Sequence, residues 1–388
     1  SYPGREARLP IRDRGDRPMP KNVVLCCDGT ANEFAEDRTN VVKLFFTLIR
    51  DPAAQVAYYH PGLGTMEPSG TLTRATRIAT RLAGQAFGYG LEADIRDAYV
   101  FLMNNFEEGD RVFLFGFSRG AYTARAVASL LRMYGLISEG NEALVPYAIR
   151  MLMAIHAIDS NGGRRNAEQK SYFTLAADFK STFSTRICKP WFVGVWDTVS
   201  SVGWYENPLR LPYTGDNPDI EIGRHAIAID ERRAFFRTNL WIPKGPPPQS
   251  GPQDLKQVWF PGVHEDVGGG YPEAESGLSK ISLQWMLKEA IGAGLLVSPG
   301  RMDLVLGKSG AYSVPDANAK MHESLTGLWW LAEILWKRHY NWARQKWERR
   351  PNLGRRRTIP PKSLVHESAF RRGGGYAERL PPDAIPTS

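Results

Sequence analysis

Residues 113–122 read FLFGFSRGAY, an apolar run that ends at a serine between two glycines. The residues from Asp110 to Phe117 are typical of a buried β-strand, and the RGAYTARAVASLLRMYG that follows predicts a helix that ends at Gly135. A sharp strand-to-helix turn needs small residues on both sides, here Gly116 and Gly120, and it exposes the serine side chain. The stretch therefore predicts a nucleophilic Ser118 at the carboxyl end of a strand.

Other apolar runs predict strands that alternate with helices. The strands are expected at NVVLCC (22–27), QVAYYH (55–60), PWFVGVWD (190–197) and QVWFPGV (257–263), with a short strand and a helix in RHAIAIDERRAFF (224–236). Helices are expected at 41–50 behind a Thr39 or Asn40 cap, at 91–106, over two stretches between about 142 and 180, and at 280–291. This order predicts an α/β fold with a mainly parallel sheet flanked by helices.

Composition limits the class of protein. The chain has 388 residues, 43% of them hydrophobic and 23% charged, which suffices for a large core and argues against global disorder. The formal net charge of +8 favours anionic surfaces or substrates. Cys26, Cys27 and Cys188 have no zinc-site spacing and are expected to be buried thiols in a protein folded under reducing conditions.

The domain organisation predicted from sequence is one domain with insertions. A flexible basic segment is expected at 1–20, and a single domain at 21–388 with insertions at about 65–90, 136–185 and 296–362. The first insertion is expected to be a loop or lid, and helical insertions are expected to form a lid over the site. The N-terminal stretch has no apolar signal region and no segment reaches the roughly 20 apolar residues of a membrane span, so a cytoplasmic location in the producing cell is expected, with export by another route left open.

Chemically useful residues follow four of the predicted strands. Because ligands gather at the carboxyl ends of parallel strands, these four segments are expected to meet at one edge of the sheet. They are Asp28-Gly29-Thr30, Gly116-Phe117-Ser118-Arg119-Gly120, Trp196-Asp197-Thr198 and Val263-His264-Glu265-Asp266.

A nucleophilic serine needs a histidine base and an acid that orients it, in the chain order Ser, acid, His of α/β-hydrolases. His264 directly follows a predicted strand and is the preferred base, with His366 as its rival and His225, His322 and His339 as packing or solvent positions. Asp197 ends a strand and is the preferred acid; Asp230 and Asp254 fall in the same interval but end no strong strand.

The oxyanion of an ester intermediate needs two donors. The amide of Arg119 follows the nucleophile, and a loop after a neighbouring strand, Gly29 or Thr30, is expected to supply the second. Two other interpretations of Asp28 stay open: it pairs with Arg119 and supports the turn, or the DGT segment is a simple β-turn.

With these stretches in order, the chain resembles the α/β-hydrolase domain family that includes the first class of type VI secretion lipase effectors. The resemblance spans about residues 21–386 and rests on LCCDGTANE, TNVVKLF, YYHPGLGT, GFSRGAYTAR, VGVWDTVSSVG, FPGVHEDVGGGY, LSKISLQWM, ESLTGLWW and VHESAFRR…YAERLPPDAIP. It implies a Ser118–Asp197–His264 triad, serine-dependent ester hydrolysis and, as in characterised effectors, phospholipase activity. The chain departs from the usual family pattern at Ala31, where Trp is common.

The expected enzyme is therefore a phospholipase- or lipase-type serine hydrolase that needs no metal or organic cofactor. Two alternatives stay open: an esterase on acetyl or polyester substrates, and an inert hydrolase-like binding module. The segment near the C-terminus contains five tryptophans among Lys and Arg residues: Trp329, Trp330, Trp336, Trp342 and Trp347. If they lie on one helix, this composition suits peripheral contact with an anionic membrane. Trp329 and Trp330 are expected in the core. Nucleic acid is not an expected partner, and the sequence predicts no oligomeric state.

Overall fold

The structure is a computed structural model, and it describes most of the chain. The described ranges are 20–29, 38–62, 86–160, 165–184, 186–199, 210–243, 253–310, 312–327, 329–341 and 346–388. Residues 65–85 of the predicted loop or lid, Thr30 and Trp342 lie outside these ranges. The division into a basic segment and one domain with insertions stays a prediction.

The described residues form eight strands of one sheet and a separate hairpin. The strands are β1 Asn22–Cys27, β2 Gln55–His60, β3 Arg111–Phe117, β4 Pro190–Trp196, β5 Ile222–Ala228, β6 Asp254–Phe260, β7 Lys337–Asn341, β8 Lys346–Arg350, β9 Leu364–His366 and β10 Ile385–Thr387. The sheet order is β10-β9-β6-β5-β4-β3-β1-β2, and each neighbouring pair in it is parallel. The predicted parallel α/β sheet is therefore confirmed.

Helices cover both faces of this sheet. They are α1 Asn40–Thr47, α2 Ala86–Asn105, α3 Arg119–Tyr134, α4 Val145–Ser160, α5 Arg165–Phe183, α6 His264–Gly268, α7 Gly277–Gly292, α8 Pro299–Val305, α9 Trp329–Glu333 and α10 Glu367–Arg371, with 3₁₀ turns at Glu142–Leu144, Glu273–Glu275 and Tyr376–Arg379. Helices α2 to α5 pack into one buried apolar cluster, and α1, α7 and α8 into a second on the opposite face. Strands buried on both faces explain the continuous apolar runs in the sequence.

Local signals at several of these elements act as the sequence predicts. Thr39 caps α1, because its side chain accepts a hydrogen bond from the amide of Val42. Helix α3 ends at Gly135, whose φ of 69° is accessible to glycine at little cost. Cys26, Cys27 and Cys188 are buried and free. Within the described ranges, no helix has both the length and the apolar character needed to cross a bilayer.

Three sequence-based expectations are wrong in detail. Strand β6 spans Asp254–Phe260, so it begins and ends three residues before the predicted 257–263. The described residues 229–243 after β5 form no helix, because the Glu231 side chain accepts the amides of Arg232 and Arg233 and holds that segment as a turn.

The tryptophan-rich segment is also not one continuous helix. It contains the five-residue α9 and then the antiparallel β7–β8 hairpin, in which the rings of Tyr340 and Trp347 pack across the strands with centroids 5.3 Å apart. The three-residue strands β9 and β10 extend the main sheet beyond β6, and the sequence did not predict them.

Candidate active site

Ser118 occupies a strained turn between β3 and α3. Its φ of 57° lies in the left-handed region that a residue with a side chain rarely adopts. Its amide donates to the carbonyl of Trp196, at the end of the adjacent strand β4, over 3.1 Å. Such a turn lifts the side chain out of the strand direction, as the Gly-x-Ser-x-Gly pattern predicts.

The flanking glycines are required because backbone segments meet here. A Cβ on Gly116 would overlap the carbonyl of Gly120, and a Cβ on Gly120 would overlap the carbonyl of Cys27 on β1. A Cβ on Gly29 would likewise fall on the carbonyl of Phe117. The loop after β1 therefore packs directly against the turn that carries Ser118.

His264 contacts both Ser118 and Asp197. Its Nε2 lies 2.8 Å from Ser118 Oγ, and its Nδ1 lies 2.5 Å from Asp197 Oδ2. The imidazole packs against the rings of Phe117 and Phe236, with centroids 4.6 and 4.8 Å away. His264 is the first residue of the short helix α6, where the sequence predicted a glycine-rich loop. The structure thus brings together the three residues that the sequence singled out.

Asp197 is a fully buried carboxylate with a cationic partner. Its Oδ1 accepts the amide of Ala228 over 3.0 Å, and both of its oxygens accept from the guanidinium of Arg357, over 2.5 and 3.0 Å. Burial alone would raise the pKa of Asp197, but Arg357 and His264 more than offset it and hold that pKa well below its usual range. Asp197 therefore remains an anion beside His264.

Arg357 was missed by the sequence analysis, which assigned it no role within the predicted 296–362 insertion. Its guanidinium also donates to the carbonyls of Ala228 and Phe236, the latter over 3.0 Å from Nε. It thus ties Asp197 to the segment that carries Phe236. Its side chain is only 9% exposed, although it follows two other arginines in a sequence typical of a solvated loop.

Glu231, in the turn after β5, is a second missed residue. Its Oε2 accepts the backbone amide of His264 over 3.2 Å, and its Oε1 accepts the hydroxyl of Ser324 over 3.0 Å. It is buried and pairs with Arg233 at 2.9 Å. Burial would raise the pKa of Glu231, but the Arg233 charge and hydrogen bond outweigh this and lower it to about 2. A fixed carboxylate therefore anchors the start of α6.

The oxyanion side of the site is described in part. Arg119 is the first residue of α3, so the helix itself provides no acceptor for its amide. The amide of Gly29 donates to the Asp28 carboxylate over 2.8 Å, which leaves the amide of Thr30, outside the described ranges, as the candidate from that loop. Asp28 also accepts from the hydroxyls of Thr39 and Tyr59.

Asp28 has an unusual titration for a carboxyl group. Burial raises its pKa from 3.8 to about 6, although three hydrogen bonds to its oxygens oppose the rise. The contacts described for its carboxylate are those with Gly29, Thr39 and Tyr59, and they join the loop after β1 to the cap of α1 and to β2. Pairing of Asp28 with Arg119 is not among them.

The rival residues have other contacts. His366 caps α10 by accepting the Ser368 amide at Nδ1, and its ring stacks on Phe260 with centroids 4.7 Å apart. His225 is buried in β5 and accepts the amide of Thr198. The remaining rivals have polar partners of their own: Asp230 accepts from Tyr376 and Gly262, Asp254 pairs with Arg224, and His322 bridges Asp266 and Glu275.

Comparison with known proteins identifies a family. The family described as "T6SS, Phospholipase effector Tle1-like, catalytic domain" matches residues 21–289. This range includes Ser118, Asp197 and His264, and it ends before Arg357. The match covers more than half of the chain and agrees with the parallel sheet.

A relative among curated proteins and two solved structures are also similar. The uncharacterized protein YEL023C of Saccharomyces cerevisiae is 28% identical over 402 residues, which cover 72% of this chain and 58% of that protein. An uncharacterized protein from Pseudomonas aeruginosa is 19% identical with a TM-score of 0.43, covering 76% of this chain and 49% of that one. The Tle1 effector bound to the VgrG spike is 20% identical with a TM-score of 0.35, covering 68% and 53%. The chain therefore spans about half the length of these similar proteins.

Proposed function

The chain belongs to the family of T6SS phospholipase effector Tle1-like catalytic domains, and on this premise we propose that it is a serine hydrolase of carboxylic esters, with phospholipids as its substrate class. The observation that carries the proposal is the pair of contacts of His264, at 2.8 Å from Ser118 Oγ and 2.5 Å from Asp197 Oδ2. This is the arrangement in which a histidine can take a proton from a serine while an anion fixes its tautomer.

In the proposed reaction, Ser118 Oγ attacks the ester carbonyl carbon and His264 Nε2 takes the hydroxyl proton. The carbon–oxygen bond of the leaving alcohol breaks, and that alcohol receives the proton from His264. Water then attacks the acyl-enzyme with His264 as its base, the fatty acid leaves, and the proton returns to Ser118. Asp197 stabilises the imidazolium in both halves.

Preorganised groups around the triad support this chemistry. The amide of Arg119 at the start of α3 and the amide of Thr30 are the proposed oxyanion donors. Because Arg357 keeps Asp197 ionised, the Nδ1–H of His264 always faces an acceptor. We assign Arg357 and Glu231 as positioning residues, since each acts through His264 or its partner.

The substrate class rests on the family description, which names phospholipase effectors. Two substrates separate the alternatives: vesicles of phosphatidylcholine and phosphatidylglycerol, and p-nitrophenyl butyrate in solution. The proteins are wild type, Ser118→Ala and Ser181→Ala, the last an exposed serine of α5 that controls for substitution itself. Labelling by a fluorophosphonate reports on nucleophilicity independently of the substrate.

We expect wild type and Ser181→Ala to release fatty acid from the vesicles and to accept the label, and Ser118→Ala to do neither. Hydrolysis of p-nitrophenyl butyrate alone would favour the non-lipid esterase. A wild-type protein that neither turns over an ester nor accepts the label would favour the inert binding module.

A further inference from the structure

Exposed apolar side chains are concentrated in one stretch of the chain. Of the eighteen large hydrophobic residues found exposed in the described ranges, seven lie between residues 330 and 353. Five of them form what we term the 330–336 surface: Trp330, Leu331, Ile334, Leu335 and Trp336. Leu331 and Ile334 are each 60% exposed and Trp336 is 59% exposed. Trp330 is 48% exposed, so the prediction that it lies in the core is wrong. Contiguous exposure of this kind marks an interaction surface.

This surface is linked to the candidate active site through aromatic contacts. Trp329, directly before it, packs its ring against that of Phe236, with centroids 5.7 Å apart. The Phe236 ring in turn lies 4.8 Å from the His264 imidazole. Leu353, another exposed apolar residue, donates its amide to the carbonyl of Glu333 and so extends the surface. A chain of aromatic contacts therefore joins the exposed residues to the catalytic histidine.

The same stretch of the chain is rich in positive charge. Residues 329–360 contain nine basic and two acidic residues, a formal charge of +7 against +8 for the whole chain. The exposed bases of this stretch in the described ranges are Arg338, Lys346, Arg349, Arg355 and Arg356. Tryptophan and aliphatic residues beside a dense group of Lys and Arg suit the interface of a bilayer that contains anionic lipids. Two copies of this face would instead bring like charges together.

Resting on the ester hydrolysis proposed above, we propose that the 330–336 surface is the membrane-docking site of the enzyme. Its apolar side chains enter the headgroup and acyl boundary of an anionic bilayer, and the surrounding bases contact the lipid phosphates. Docking places the site mouth at Phe236 against the lipid, so an ester can reach Ser118 without crossing bulk water. The partner is the bilayer surface itself.

The test measures binding to vesicles separately from catalysis. Ser118→Ala protein, which cannot consume the lipid, is titrated with vesicles of phosphatidylcholine alone or with phosphatidylglycerol, and bound protein is measured by flotation. The docking variant combines Leu331→Ser, Ile334→Ser and Trp336→Ser. The control is Ile187→Ser, which removes a 70% exposed apolar side chain three residues before β4, at the sheet edge opposite Ser118.

We expect the docking variant to bind vesicles at least about 100-fold more weakly, since each large apolar side chain withdrawn from water contributes roughly tenfold. Ile187→Ser should bind like its parent, and added salt or omission of phosphatidylglycerol should weaken binding. With Ser118 restored, the docking variant should lose vesicle hydrolysis while its turnover of p-nitrophenyl butyrate stays within about twofold of wild type.

Equal vesicle binding by the docking variant and its parent would overturn the proposal, as would a dimer that the same substitutions dissociate. Leu331→Asp alone provides a second variant if the triple substitution fails to fold, and it should also abolish binding. Vesicle binding is measured on Ser118→Ala protein and does not require hydrolysis. Failure of the docking proposal would therefore appear in the binding measurement, and failure of the ester hydrolase proposal in the turnover measurement.

Discussion

Replacing Arg357 with methionine removes the cation that faces Asp197 while keeping a side chain of similar length. In the structure the guanidinium contacts both carboxylate oxygens, at 2.5 and 3.0 Å, and Asp197 is completely buried. After the substitution Asp197 retains the Ala228 amide and His264 as partners. A buried carboxylate thus loses its nearest fixed positive charge.

The size of the effect follows from these contacts. Removing one partner of a buried ion pair, while the other charge stays buried, lowers the unfolding free energy by about 3–5 kcal/mol. The pKa of Asp197, now held below its usual range, should rise, because burial is then opposed by fewer partners. A depressed pKa contributes stability above the unfolded value that is lost as pH falls, so methionine should reduce stability most at neutral pH and least in acid.

The assay is kcat/KM for p-nitrophenyl butyrate from about pH 5 to about pH 9, on protein whose folding is checked by circular dichroism. We expect Arg357→Met to lower kcat/KM by about tenfold to 100-fold at neutral pH, because Asp197 loses the group that positions it. The acid limb should move to higher pH, since Asp197 then becomes protonated at a higher pH and no longer stabilises the His264 imidazolium. Arg356→Met is the matched control, because this neighbour is 46% exposed and lies 3.6 Å from Asp230 instead. Arg357→Lys keeps the positive charge but lacks the planar guanidinium that contacts both Asp197 oxygens. Its kcat/KM should lie between those of Arg357→Met and Arg356→Met.

One result would refute the reasoning. If folded Arg357→Met has the same acid limb as Arg356→Met and a kcat/KM within about twofold of it, Arg357 stabilises the fold but does not position Asp197. A loss of stability without a change in pH profile would lead to the same conclusion.

Three further predictions test other parts of the site. Gly120→Ala should lower the unfolding free energy by about 3 kcal/mol, because the added Cβ would overlap the Cys27 carbonyl. Gly292→Ala is the control: its Cβ would meet open space, so the unfolding free energy should rise by up to about 1 kcal/mol. Thermal unfolding of the two variants measures both changes. In the wild-type protein, the raised Asp28 pKa of about 6 makes ionisation costly in the folded state, so the unfolding free energy should fall by up to about 3 kcal/mol as pH rises from about 4 to about 6. Asp28→Asn should lack this fall, and urea unfolding at several pH values measures the difference. His366→Ala should cost about 1 kcal/mol through the α10 cap yet leave ester turnover within about twofold of wild type, and a larger loss of turnover would restore it as a catalytic rival.

The sequence predicted the parts of the molecule whose signals are local. Apolar runs buried on both faces marked β1, β3 and β4, and glycines around Ser118 marked the turn that carries it. Because parallel strands end at one edge, the polar residues after β3, β4 and β6 could be expected to meet. Ser118, His264 and Asp197 lie within hydrogen-bonding distance of one another in that order.

The supporting residues depended on contacts that leave no local signal. Arg357 lies 160 residues beyond Asp197, and its neighbours Arg355 and Arg356 are exposed, so its composition resembled a solvated loop. Glu231 sat in a segment with helical composition, but its side chain bonded the following amides and prevented the helix. Tertiary contacts, which local propensity does not encode, decided both positions.

The separation of Asp197 and Arg357 along the chain also sets an order in time. At about 5–20 residues per second, synthesis adds the 160 residues between them in roughly 8 to 30 s. During this interval β3, β4, β5 and β6 can pair, while the Asp197 carboxylate does not yet have Arg357 as its partner. A newly made chain can therefore pair β1 to β6 before Arg357 reaches Asp197, whereas β9 and β10, which follow Arg357 in the chain, can join the sheet only later.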